Sequence, residues 1–197
     1  MTGELTDAPA GYDVLLPPGW WSVPADPVGA RGSIRKLLDA RLAEFPRDTV
    51  QPVRMEVERM LHELVGNAQE LGAMDVLITV DPLRGLPVTA SCLVMLVPGT
   101  QPVSLDEIRA EMAEDADEHA IVELAAGPAL RVRRRREPLP ERTDDMPATV
   151  VEHVLPVPGT SDHMALVWST PVDQLADEFV MLFDAVAGTL RWRWADA

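Results

Sequence analysis

One cysteine, one lysine and one tyrosine stand among the 197 residues of this chain, and the first two scarcities exclude whole classes of structure and partner. A single thiol, Cys92, forms no internal disulfide and builds no multi-cysteine zinc site, so stability has to come from packing. Lys36 is the only lysine among 17 basic residues, which face 32 acidic ones. The resulting formal net charge of −15 repels phosphate backbones, so no nucleic-acid partner is expected. The longest apolar run, around residues 91–97, falls far short of the roughly 20 residues that cross a bilayer, and no membrane partner is expected either. Residues 1–9 are short and polar, without a basic and apolar leader or a lipid-modifiable cysteine, the pattern of a cytoplasmic protein.

Motifs for chemistry are missing as well. His62, His119, His153 and His163 fall in no H-E-x-x-H or similar ligand spacing. No G-x-S-x-G elbow is present, and the Gly-Thr pairs stand at turns rather than ahead of helices, where phosphate binds. Glu114, Asp115, Asp117 and Glu118 lack the D-x-D-x-D-G pattern of a calcium loop and read as a solvated helix end. Cys92 has the apolar neighbours Leu93, Val94, Met95 and Leu96, which raise a thiol pKa and dull its reactivity. No catalytic, cofactor-binding or metal site is therefore expected, and the chain reads as a non-enzyme.

What is present is a globular composition, 47% apolar and 25% charged, in a chain long enough to bury about 70% of its unfolded surface. The expectation is one domain over residues 1–197, with 1–10 as a disordered tail. Arginine in place of lysine, with abundant Ala, Pro, Val and Asp, matches GC-rich coding of the actinobacterial kind.

Residues 12–16 and 20–23 read as an entry pair of short strands, joined by a turn at Pro17, Pro18 and Gly19. A helix follows. Asp26 and Pro27 offer a capped start, but Gly29 and Gly32 weaken its first turn and favour Ser33 instead. Ile34, Leu37, Leu38, Leu42 and Phe45 share one face of it. After Pro46, Asp48 or Thr49 caps a second helix that carries Val53, Val57, Met60, Leu61, Leu64, Val65, Ala68 and Leu71 and ends at Gly72. So short a connection makes residues 28–72 a helical hairpin, whose inner face must pack on a sheet.

From residue 74 the period becomes two. Residues 74–80 and 88–97 predict a hairpin about a turn at 81–87, followed by a capping box at Ser104 and Glu107 opening a helix to about Glu114. Residues 120–124 and 129–135 form a second hairpin around Gly127 and Pro128, and residues 149–157 and 164–170 a third. Thr170, Pro171 and Asp173 predict the start of a last helix with Leu175, Phe179, Leu182, Phe183 and Val186 on its apolar face. Leu190 to Trp194 then add a short strand or an extra turn. Strands grouped in hairpins, with helices at both ends, predict an α+β fold: an antiparallel sheet of about six or seven strands flanked by helices.

Leu16, Pro17, Pro18, Gly19 and Trp20, then Gly127, Ala129 and Arg131, and finally Leu166, Val167, Trp168, Ser169 and Thr170 carry a resemblance. Phe179, Phe183, Asp184, Ala185, Ala187, Leu190 and Arg191 complete it. Together they resemble the α/β-sandwich family that groups the photosystem protein PsbP with the Ran-binding Mog proteins and many bacterial members. The resemblance implies an antiparallel sheet between helices, and no shared catalytic motif. Members bind different partners, and residues 28–72 exceed the family's usual connection, so no partner follows from it.

Two groups of residues are candidates for partner binding. Arg131 and the run Arg133, Arg134, Arg135 and Arg136 form the one basic cluster; on a strand, Arg131, Arg133 and Arg135 share a face. They either pair with carboxylates such as Glu118 and Glu123 across the hairpin, or offer Arg133 and Arg135 as a docking patch for an anionic partner. Trp20 and Trp21 point to opposite sides of an extended chain, and Trp192 and Trp194 share one side, which makes Trp21 and Trp192 the aromatic anchors to test against a core role. The functional expectation is a non-enzymatic protein–protein interaction module, with a small-molecule carrier or sensor, holding its ligand between sheet and helices, as the alternative.

Overall fold

A computed structural model describes residues 8–43, 46–80, 88–137 and 146–195. Residues 1–7 of the expected tail, Phe45 and the turn expected at 81–87 lie outside the described residues. In chain order the elements are β1 (Gly11–Asp13), β2 (Trp20–Pro24), α1 (Pro27–Leu42), α2 (Arg47–Glu70), β3 (Ala73–Val80), β4 (Val88–Val97) and α3 (Leu105–Met112). There follow β5 (Glu118–Leu124), β6 (Gly127–Arg136), β7 (Ala148–Pro156), β8 (His163–Thr170), a 3-10 turn (Asp173–Leu175), α4 (Ala176–Ala187) and β9 (Arg191–Arg193). The fold is α+β: seven strands in antiparallel ladders, four α-helices, and a separate two-stranded pair. The chain gathers into two compact units, residues 18–95 and residues 1–17 with 96–197.

In the unit of residues 18–95, α1 starts at Pro27, earlier than Ser33. The Asp26 carboxylate accepts hydrogen bonds from the amides of Val28 (3.1 Å) and Gly29 (2.8 Å), and this cap offsets the glycines of the first turn. Ser33 instead ties α1 to β2, its hydroxyl donating to the Ser22 carbonyl and accepting from the Trp21 indole N–H. α2 begins at Arg47 behind Pro46, so Asp48 and Thr49 stand in its first turn rather than at its cap. Gly72 ends it with φ of 82°, a left-handed conformation that glycine adopts without strain.

Ile34, Leu37 and Leu38 of α1 and Val57, Leu61, Val65 and Ala68 of α2 are buried with Val23, Val76 and Ile78 of β2 and β3. The helical hairpin therefore covers this sheet as its apolar stripes require. Leu71, expected on the stripe, lies past the last turn and is exposed. β2 pairs with β3, and β3 with β4, both antiparallel. Cys92, opposite Leu77, is buried in β4.

The other unit holds the antiparallel ladder β8-β7-β6-β5 with α3 and α4. Its first strand corrects the pairing read from sequence. β1 is zipped to β9, Tyr12 opposite Trp192, and does not pair with the strand that follows Gly19. Two apolar runs around a Pro-Pro-Gly turn satisfy the local signal for a hairpin, but ladder partners are chosen by the whole fold. The capping box on α3 is present: Glu107 accepts from the Ser104 amide at 2.8 Å, and Ser104 Oγ accepts from the Glu107 amide at 3.3 Å. α4 starts at Ala176, later than Pro171. Thr170 Oγ1 accepts from the Val172 amide, the 3-10 turn intervenes, and Leu175 is exposed there instead of joining the apolar face. The face that remains, Val180, Phe183, Val186 and Ala187, is buried, and Phe183 stacks on Trp168 at 5.2 Å.

Candidate functional site: the β6 arginine ladder and the β5 edge

Register determines which side chains meet. Across β5, β6, β7 and β8, one face carries the rows Ala120, Arg131, His153, Leu166 and Glu118, Arg133, Val151, Trp168. α4 lies over that face, and its acids at helical spacing meet the arginines at strand spacing. Arg131 donates to Asp184 at 2.8 Å, Arg133 to Asp177 at 2.6 Å, and Arg135 to Asp173 at the 3-10 turn. Glu118 adds contacts to Arg131 (3.4 Å) and Arg133 (3.6 Å), as the sequence led us to expect. Glu123 does not join them. It is odd-numbered on β5, opposite Pro128, and so stands on the other face. On that other face Arg134 pairs with Glu152.

The deepest part of this seam joins His153, Asp184 and Arg131 in a triad. His153 is 1% exposed and its Nε2 lies 3.0 Å from the Asp184 carboxylate oxygen that also accepts from Arg131. Burial pushes the Asp184 carboxyl up, but hydrogen bonds from His153 and Arg131 outweigh it and hold the pKa below the ordinary value. The Asp184 carboxylate in turn raises Arg131 further. His153 Nδ1 is buried and has no hydrogen-bond partner among the described residues. A histidine oriented by a carboxylate is half of a general-base arrangement, but a base must reach a substrate proton, and a side chain this enclosed reaches none. The triad anchors α4 to the sheet.

An open cleft of about 440 Å³ lies at the other end of the seam, between β6, β7 and the start of α4. Arg133, Arg134 and Arg135 line it together with Asp117, Asp173, Asp177 and Glu178. Each of these arginines has a carboxylate partner, so the cleft is a neutralised surface rather than a positive one. Replacing both Arg133 and Arg135 by Ala is expected to lower the melting temperature slightly and to speed amide exchange in the first turn of α4, because exposed pairs contribute little each. Unchanged exchange over residues 176–180 would show that the pairs do not hold that turn.

Trp21 and Trp192 are also engaged. Trp21 belongs to the 18–95 unit, where its indole packs beside the core and donates to Ser33 at 3.1 Å. Trp192 donates to the Ala126 carbonyl at 3.0 Å and so sits at the turn that closes β5 onto β6. Trp194 lies beyond β9 and is 45% exposed. His163 is buried and donates from Nε2 to the Val103 carbonyl at 3.2 Å. Among the described residues no group of three His, Cys, Asp or Glu side chains is placed to hold a metal, and no helix is long and apolar enough to cross a membrane.

The feature that sequence reasoning missed is the place of β5 in the sheet. It ends the ladder β8-β7-β6-β5, and among the described residues no strand lies on its outer side. Residues 118–121 and Glu123 are exposed, including Ile121, and the pairing to β6 runs without a bulge over all seven residues. Periodicity identifies a strand but not its place in the sheet, and only position makes it an edge.

No family model and no curated protein matches the chain. Among solved structures it is similar to the cyanobacterial PsbP protein CyanoP from Synechocystis sp. PCC 6803, at 13% identity and a TM-score of 0.46, over 92% of this chain and 86% of that one. It is also similar to LpqN of Mycobacterium tuberculosis, described as involved in cell envelope biogenesis, at 11% identity and a TM-score of 0.50, over 94% of this chain and 86% of that one. The likeness to LpqN is one of fold. Neither of these structures bears on the Mog proteins.

Proposed function

We propose that this chain is a non-catalytic module that binds a protein partner through the open edge of β5. The observation that carries the reading is that seven-residue edge, whose outward N–H and C=O groups form a template for an added strand. Two of the residues singled out from sequence flank it: Arg133 stands opposite Glu118 at its start, and Trp192 is fastened to the turn after its end. The charged lining of the cleft offers little surface to an apolar ligand, which weighs against the carrier reading. A cytoplasmic location belongs to the proposal.

The test is to immobilise the full chain and its Ile121→Lys variant and compare what each retains from an extract of the source cells. A specific protein retained by the wild type and lost by a variant with an unchanged circular dichroism spectrum is the expected result. Equal retention by both would place the docking surface elsewhere.

A further inference from the structure

The edge of β5 has a sequence that matches itself when reversed. Antiparallel pairing of two copies about a two-fold axis at Ile121 sets Ile121 against Ile121, His119 against Glu123 of the second copy, and Ala120 against Val122. One face of the joined ladder then carries an apolar pair on the axis with a histidine–carboxylate pair, able to hydrogen-bond, on either side. Shifting the register by one pair puts Ile121 against His119 or against Glu123, and a further shift brings the two Glu123 side chains together. Only the register centred on Ile121 makes every pair on the His119, Ile121 and Glu123 face complementary, while Glu118 and Leu124 meet at its ends on the other face.

The monomer leaves these groups available. His119, Ala120, Ile121 and Glu123 are exposed, and the arginine contacts of Glu118 lie on the α4 side of the sheet, away from the His119, Ile121 and Glu123 face. A two-fold axis can pass through either kind of antiparallel residue pair, so the outward groups of β5 suit this pairing whichever residues bond inward to β6. β5 has no proline, lysine or bulge to blunt a free edge, and its charged side chains are Glu118 and Glu123.

We infer that β5 pairs with β5 of a second copy of this chain, antiparallel and centred on Ile121. The inference rests on the edge-docking reading and names its partner. The area involved belongs to the small, weak class of interfaces, and the net charge of −15 on each copy opposes association, so the dimer is expected at dissociation constants on the order of tens of micromolar in physiological salt.

Sedimentation equilibrium of the full chain tests it. Glu123→Lys, which removes the carboxylate that faces His119 and sets an ammonium there twice per dimer, is expected to weaken the dimer about tenfold. His119→Glu is expected to act in the same direction. The double variant His119→Glu with Glu123→Lys restores the complementarity in reverse and is expected to return the constant to within about threefold of wild type. Recovery in the double variant is something a misfolded single variant cannot imitate. A chain that stays monomeric at about ten times the expected constant overturns the inference, as does a dimer indifferent to both single variants. A monomeric chain that still loses a different protein on Ile121→Lys sinks self-pairing alone; a monomeric chain that loses none sinks the edge reading with it.

Discussion

Phe183→Ala is expected to cost about 4 kcal/mol and to lower the melting temperature by roughly 10 °C, the largest single effect in the unit that carries β5. Phe183 is fully buried and contacts two rings, Trp168 at 5.2 Å and Phe179 at 5.9 Å, so truncation leaves a cavity between α4 and the sheet that neither ring can fill alone. Calorimetry measures the loss, and red-shifted tryptophan emission would place it at Trp168. A loss below about 1 kcal/mol would mean that α4 is not anchored by this stack. Leu61→Ala, which empties the core of the 18–95 unit, bears on the single domain proposed for residues 1–197: both variants are then expected to shift one common transition, and two transitions shifted separately would overturn it.

Asp184→Ala is expected to cost about 2 kcal/mol, because it removes one carboxylate from two partners at once. His153 is left with no partner for either ring nitrogen among the described residues, and Arg131, whose side chain is 15% exposed, keeps only the longer contact to Glu118. Asp184 is itself partly exposed, so water takes over some of its role and the loss stays below that of a fully buried pair.

The same residue predicts a pH dependence with a definite sign. Its folded pKa is lowered, so between the folded and unfolded values the unfolded chain binds the extra proton, and stability rises with pH. The contribution is complete above the ordinary aspartate value near 3.9 and is lost as pH falls through the lower folded value. The stability difference between wild type and Asp184→Asn is therefore expected to be constant near neutrality and to shrink as the pH drops below about 4. Taking the difference isolates Asp184 from the other acidic groups. A difference that grows on acidification would contradict the arrangement of the triad.

Much of the fold is visible in local pattern. The helical stripes from Ile34 to Leu42 and from Val57 to Ala68 both end up buried, the Ser104 and Glu107 box forms as its spacing demands, and the second and third hairpins pair where the period of two places them. These signals act over a few residues, where backbone geometry alone decides which side chains share a face. The misses have the same origin read in reverse. Gly29 and Gly32 suggest a late start for α1 until the Asp26 cap is seen to outweigh them, and the segment at 12–16 looks like the partner of its neighbour because nothing nearby announces β9.

The candidate site divides along that line too. The arginine ladder was readable from alternation on one strand, and Glu118 from its place across a hairpin. Asp184 lies 53 residues from Arg131 and Asp177 lies 44 from Arg133, so no spacing in the chain couples them. Composition excluded disulfide scaffolds, cysteine-rich zinc sites and a helical membrane span, while charge argued against nucleic acid and periodicity decided the class of fold. Tertiary structure alone decided that Arg131 and Arg133 are matched by the acids of α4 and that β5 stands at an edge among the described residues. Both depend on which elements come to lie side by side, a choice set by burying the apolar faces together, and the polar groups on those elements meet as its consequence.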